Sequence, residues 1–452
     1  MEKLSISYSF GGALGCDGLS FEDLRKRYED ACAEAAEWLN VTPSSAEGHG
    51  WMDLPETDTT EIKKTAEWLK GYDSIIHIGI GGSALGNLML NQALLGDWYN
   101  CGDTKPKFYL ADNPDPTKVR AIWEEVKGGS VALVGVSKSG ATAETMSQFL
   151  WFRNEMIRPG GRADDDILVI TDPEKGIFRS FAKSSGCRAM DLPPSVGGRY
   201  SVLSAAGLIS AAAVGIDIDA LLNGAAAMKK MLLENTSMES NPAWLASSLH
   251  SHHEKMGRPM AVIMPYSSRM AFFAEWFAQL WGESLGKEGK GTTPVRALGA
   301  IDQHSQVQLY TEGPDDKFFT IINIRDHGEK IRVSQVDCDA LSTLSYLCSS
   351  DMGGMLGLEA MSTAAAIVKA GRPLVWIETE KLDAFTLGGL IFYYEYMTAM
   401  TGRMMGIDPF DQPGVEQGKK YTYGLMGRDG FAKDAAEAKE WFEKIRGISL
   451  EI

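Results

Sequence analysis

Four short β-branched runs, SIIHIGI at 74–80, KFYLAD at 107–112, VALVGVS at 131–137 and DILVITD at 166–172, are separated by stretches with helical apolar spacing. Parallel neighbours need a crossover, so this alternation predicts a parallel sheet covered by helices on both faces. A second set repeats the pattern: MAVIMPY at 260–266, a helix from about Ser268 to Trp281, FFTIINI at 318–324 and PLVWIET at 373–379. An alanine-rich, helical region from Ser204 to Met256 separates the two sets. Helices are also predicted for Ser20 to Asn40, opened by a serine cap, for Thr60 to Lys70 and for the tail from Asp429. The expected organisation is a helical N-terminal extension (1–72), a first α/β domain (73–190), a helical connector (191–256), a second α/β domain (257–428) and a C-terminal helix (429–452). At 452 residues the chain exceeds the size of one core.

A formal charge of −16 argues against nucleic acid or an anionic membrane as a general partner, so an anionic ligand needs a locally positive site. The N-terminus lacks a basic-then-apolar leader, and LGGLIFYYEYMTAM, from Leu387, is broken by Glu395 and reads as a buried helix rather than a membrane span. Six cysteines without a CxxC pair read as reduced thiols in a cytoplasmic protein, with no metal and no disulfide frame. The expected protein is soluble and unprocessed.

The ends of the predicted strands carry the chemistry. VALVGV runs into SKSGAT before a helix, which places Ser137, Lys138, Ser139 and Thr142 where unpaired helix N–H groups favour an anion. The same turn is also readable as an ordinary strand-to-helix cap. In HIGIGGSALG, Gly79, Gly81 and Ala84 fit a dinucleotide fingerprint with Asp112 as the ribose acid, but that acid lies beyond the usual spacing of about 20 residues. Ser83 fits better with Ser137, Ser139 and Thr142, because neighbouring strand ends converge at one crevice. Arg199 in GGRYS suits an anion or oxyanion, or else a structural ion pair between domains. Gln279 and Glu283 fall one turn apart on a helix, with Trp281 beside the carboxylate to desolvate it. His250, His252 and His253 lack metal-ligand spacing and read as helix-surface residues. FDQPGVEQGKK, carrying Glu416, Lys419 and Lys420, reads as a polar turn.

Taken together, GIGGSALG, SKSGATAET, VGGRYS, WGESLGKEGKG, DQHSQVQ and FDQPGVEQGKK stand in the order found in phosphoglucose isomerases, and the chain resembles that family, in its bacterial type, over about residues 73–430. The resemblance implies two sugar-isomerase-type domains, each a parallel sheet flanked by helices, in a homodimer with composite active sites. It also implies aldose–ketose interconversion of glucose 6-phosphate and fructose 6-phosphate, with no cofactor. Matched position by position, Glu283 is the enediol base and acid, His304 and Lys419 open the sugar ring, and Arg199 steadies developing negative charge. The substrate would be bound by Gly82, Ser83, Ser137, Lys138, Ser139, Thr142 and Gln279. Bacterial members usually carry two threonines after SKSG, whereas this chain has Ala141 then Thr142; backbone N–H groups and Lys138 are expected to compensate. Two other readings are a sugar-phosphate sensor on the same domains and a nicotinamide-dependent oxidoreductase. The first need not keep Glu283, His304 and Lys419 together; the second rests on the Gly79 to Ala84 pattern alone.

Overall fold

Each of these apolar runs is a strand in the computed structural model, which describes residues 3–157 and 163–447. In chain order the strands are β1 (Ile6–Ser9), β2 (Ser74–Ile78), β3 (Lys107–Ala111), β4 (Val131–Val136), β5 (Ile167–Thr171), β6 (Arg188–Asp191), β7 (Met260–Pro265), β8 (Thr293–Arg296), β9 (Lys317–Asp326) and β10 (Leu374–Lys381). Two units form: one ends at Pro409 and holds both sheets, and the other begins at Phe410. Positions 1–2 and 448–452 of the expected terminal extensions lie outside the described residues.

The first sheet is parallel throughout, in the order β3-β2-β4-β5-β6. From β2 the chain steps outward to β3 and then back across to β4, so the winding reverses between β2 and β4. Such a reversal leaves a crevice at the carboxyl ends of those two strands. Their residues are buried on both faces, with Ile76, Ile78, Leu133, Phe149, Phe152, Val169 and Phe178 in the core. The second sheet, β1-β10-β9-β7-β8, reverses in the same way between β7 and β9. Its outer strand β1 runs antiparallel to β10, so the N-terminal extension, expected to be helical, also supplies a sheet edge.

The connector contains helices Ala205–Ala213, Ile218–Glu234 and Pro242–Lys255. Against them lies helix Ala384–Met404, buried from Phe385 to Gly402. Its backbone touches that of helix Ile218–Glu234: a Cβ on Gly388 would meet the Leu221 carbonyl at 1.8 Å, and one on Gly224 the Phe385 carbonyl at 1.8 Å.

The histidine cluster is not on the surface. His250, His252 and His253 are 5%, 6% and 0% exposed, because helix Pro242–Lys255 is covered along its last turns. The His250 ring packs at 4.5 Å from Trp281 and 4.3 Å from Phe318. Arg258 Nη1, which can only donate, bonds His253 Nδ1 at 3.1 Å, so His253 carries its proton on Nε2, facing the Ala13 carbonyl at 3.3 Å. Burial lowers the pKa of His250 to about 3 and that of His253 to about 4.

In the second unit, helices Glu416–Leu425 and Ala432–Ile445 pack on one another, with Tyr423 and Phe431 rings 5.4 Å apart. The FDQPGVEQGKK segment is therefore helical from Glu416 and not a turn. Pro413 opens a short helical stretch there, its missing N–H costing nothing at a helix start.

Candidate active site

The loop after β4 is folded around its own hydroxyls. Gly140 has φ +61°, and a Cβ there would meet the Phe178 nitrogen at 2.5 Å, so no other residue fits. Ser137 Oγ accepts the Gly140 N–H at 3.0 Å, and Ser139 Oγ accepts the Ala141 N–H at 3.2 Å. Each hydroxyl thus has a lone pair engaged by the chain and keeps a proton to donate. Thr142 is the extended N-cap of helix Ala143–Met156; its Oγ1 does not cap the helix and lies 3.5 Å from Ser137 Oγ. Ala141 contributes a methyl where a second threonine hydroxyl would stand. The Lys138 ammonium does not face these hydroxyls: it donates to the carbonyls of Pro194 at 2.5 Å and Val196 at 3.3 Å.

Across the crevice, β2 leads to a tight turn at Gly81–Ser83. Gly82 must lack a side chain because a Cβ would lie 2.1 Å from the Gly198 carbonyl. His77, wholly buried on β2, holds the turn: Nε2 lies 2.9 Å from the Ser83 carbonyl and Nδ1 2.9 Å from Ser210 Oγ. A carbonyl can only accept, so Nε2 carries the proton and Nδ1 accepts from Ser210. Burial lowers the His77 pKa to about 4. Asp112, the acid required by the dinucleotide reading, is ion-paired with Lys118.

Arg199 sits in the short turn Gly198–Tyr200 and is 3% exposed. Its Nε donates to Ser284 Oγ at 2.8 Å, Nη1 to Glu283 Oε2 at 3.3 Å and Nη2 to the Pro409 carbonyl at 2.6 Å. The other oxygen of Glu283 accepts from Gln279 Nε2 at 2.8 Å, as the one-turn spacing on helix Ala271–Leu285 requires. Gln279 also abuts Gly81, where a Cβ would lie 2.9 Å from its Nε2. The carboxylate is therefore steered at both oxygens beside the glycine turn. Trp281 does not desolvate it: the indole donates to Thr292 Oγ1 at 2.8 Å, and the Glu283 side chain stays 28% exposed. The ion-pair reading of Arg199 and its anion-site reading meet in one contact, since its partner is the candidate base.

His304 follows the short turn Ile301–Gln303 and is exposed; among the described residues its side chain makes no hydrogen bond. Lys419 lies in the second unit, on helix Glu416–Leu425, ion-paired with Glu416 at 2.8 Å. The first unit thus brings together Gly82, Ser83, Arg199, Gln279 and Glu283, and ties the Ser137–Thr142 loop to the Arg199 segment through Lys138. His77, Tyr200 and Ser284 were not singled out in the sequence. Tyr200 OH lies 3.3 Å from Ser284 Oγ, behind the guanidinium. Only their adjacency to Arg199, Glu283 and the glycine turn pointed to them.

The family model described as phosphoglucose isomerase matches residues 57–306 and 356–429, a span that includes every candidate residue named above. The chain belongs to the phosphoglucose isomerase family. Among curated members, the glucose-6-phosphate isomerase of Rubrobacter xylanophilus is 40% identical over 391 residues, covering 84% of this chain and 90% of the relative. That of Carboxydothermus hydrogenoformans is 39% identical over 398 residues, covering 85% of each. A crystal structure of a hypothetical protein from Thermus thermophilus superposes with a TM-score of 0.84 at 32% identity, covering 93% of this chain and 100% of that one. Similarity to phosphoglucose isomerases thus extends over most of the chain, both sheets included.

Proposed function

We propose that the chain catalyses the reversible aldose–ketose interconversion of glucose 6-phosphate and fructose 6-phosphate, as a cytoplasmic homodimer with composite sites. The carrying observation is the Gln279–Glu283–Arg199 constellation beside the Gly81–Ser83 turn. Ser137, Ser139 and Thr142 donate to the phosphate, which anchors the nonreacting end. Glu283 takes the proton from C2 to give a cis-enediol and returns it to C1. Arg199, already at the carboxylate, stabilises the enediolate oxygen as charge grows. Ring opening needs an acid and a base at O5 and O1, the roles of His304 and Lys419. His304 is exposed, with Ile301 66% and Leu309 50% exposed near it in the chain, which supports its delivery to Glu283 of a second copy. The six cysteines stand as free thiols, which supports a reducing compartment.

A coupled assay forming glucose 6-phosphate from fructose 6-phosphate tests the reading. Glu283→Gln keeps the shape of the side chain and its bond to Gln279, yet removes the base, so kcat should fall by at least about a thousandfold with KM little changed. No turnover by the wild type would end the isomerase reading, and near-normal turnover by the variant would take the base role from Glu283.

A further inference from the structure

We infer that Lys138 is a positioning residue: its ammonium is a strut that fixes the Arg199 turn against the hydroxyl loop, and it is not a ligand of the substrate's phosphate. The inference rests on the isomerase reading and deepens it. The segment entering the turn, Leu192–Pro193–Pro194–Ser195–Val196, contains two prolines without N–H groups and cannot be laid down as a ladder strand. It is pinned by the Leu192 N–H to the Thr171 carbonyl at 2.8 Å and by the Ser195 carbonyl to the Gly50 N–H at 3.1 Å. Lys138 adds the pair of bonds nearest the turn, to the carbonyls of Pro194 and Val196. Only Gly197 and Gly198 then separate Val196 from Arg199, and neither has a side chain to wedge the backbone in place. Lys138 therefore helps to set where Val196 enters the turn, while Ser284, Glu283 and the Pro409 carbonyl hold the guanidinium at its far end.

The opposite end of the strut is equally defined. The Lys138 carbonyl accepts from the Asp172 N–H at 3.3 Å and from Thr171 Oγ1 at 3.3 Å, so the residue is built into the loop that carries Ser137, Ser139 and Thr142. The ammonium lies among backbone oxygens, where burial lowers its pKa; the negative charges of Glu47 and Asp172 oppose that shift and Lys175 adds to it. Turning it to an anion would strip two carbonyls of a charged donor. The hydroxyls of the loop, whose protons remain available, need no such rearrangement. Lys138 thus couples the group that grips the remote phosphate to the group that meets the enediolate.

The test compares Lys138→Met and Lys138→Arg with the wild-type chain, using two competitive inhibitors of fructose 6-phosphate turnover. Sorbitol 6-phosphate carries the phosphate and an uncharged chain. Arabinonate 5-phosphate adds a carboxylate where the enediolate charge develops. For a strut, Lys138→Met binds sorbitol 6-phosphate within twofold of wild type, binds arabinonate 5-phosphate at least tenfold more weakly and loses at least tenfold in kcat; Lys138→Arg recovers most of both losses. If both inhibitors weaken equally while kcat holds, Lys138 is a phosphate ligand and the inference is overturned. Unchanged inhibition and kcat overturn it too. Should Lys138→Met melt below the assay temperature, Lys138→Gln, whose amide reaches one carbonyl, carries the same comparison. A wild type without turnover would refute the isomerase reading by itself, and calorimetric binding of the two anions would then decide the strut.

Discussion

His77 shows how much a single residue can hold in place without meeting a ligand. Its imidazole must be neutral to accept from Ser210 while donating to the Ser83 carbonyl. In the unfolded chain a histidine takes up a proton near pH 6.5, whereas burial lowers the folded value to about 4. Between those values the unfolded state binds the extra proton, so stability is greatest above pH 6.5 and falls as the pH drops toward 4, by on the order of 3 kcal/mol for this group. The buried His250 and His253 act in the same direction. Urea unfolding should therefore show a lower midpoint at pH 5 than at pH 7, with a smaller difference in His77→Gln; equal wild-type midpoints would contradict the assignment. At this scale the Gln279–Glu283 pair was legible because helical spacing is local. Ser284 and His77 were not, because each takes its meaning from a partner distant in sequence, Arg199 and Ser210.

Among the elements, the crossing of helices Ile218–Glu234 and Ala384–Met404 makes the narrowest demand on sequence. Gly388→Ala drives a methyl into the Leu221 carbonyl, and the backbones must separate along a fully buried seam. The expected cost is about 1–3 kcal/mol or more, seen as a lower Tm in calorimetry with the far-ultraviolet spectrum retained. An unchanged Tm would mean that the seam gives way freely. Strands such as β4 and β5 were legible as unbroken β-branched runs buried on both faces. The edge strands β6, RAMD, and β8, TPVR, were not, since each is only four residues long and polar at its ends. Helix Pro242–Lys255 misled for a related reason: histidine reads as polar, yet here it packs among aromatic rings. In the sequence Glu395 is the charge that breaks a membrane pattern. It is wholly buried, its carboxylate oxygens have no partner among the described residues, and desolvation raises its pKa far above the usual carboxylate range.

For the whole molecule, two sheets wound in the same sense divide the work. In the proposed reaction the first supplies turns for the phosphate, and the helix after β7 supplies the carboxylate. That two-sheet plan was legible from the alternation of runs, while the antiparallel β1 was hidden because four alternating residues at an edge give little signal. The proposed homodimer predicts complementation. Glu283→Gln and His304→Ala, each inactive alone, should regain about a quarter of wild-type activity when co-expressed, because half the dimers are mixed and each mixed dimer has one intact site. No recovery would place both residues in the same subunit's site. Arg199 carries one further consequence. An exposed cation would be masked as the ionic atmosphere contracts to about 3 Å in molar salt. With its guanidinium enclosed by Ser284, Glu283 and the Pro409 carbonyl, the charge that would meet the enediolate lies beyond the reach of counterions, and high salt would press on the proposed capture of the phosphosugar rather than on its conversion.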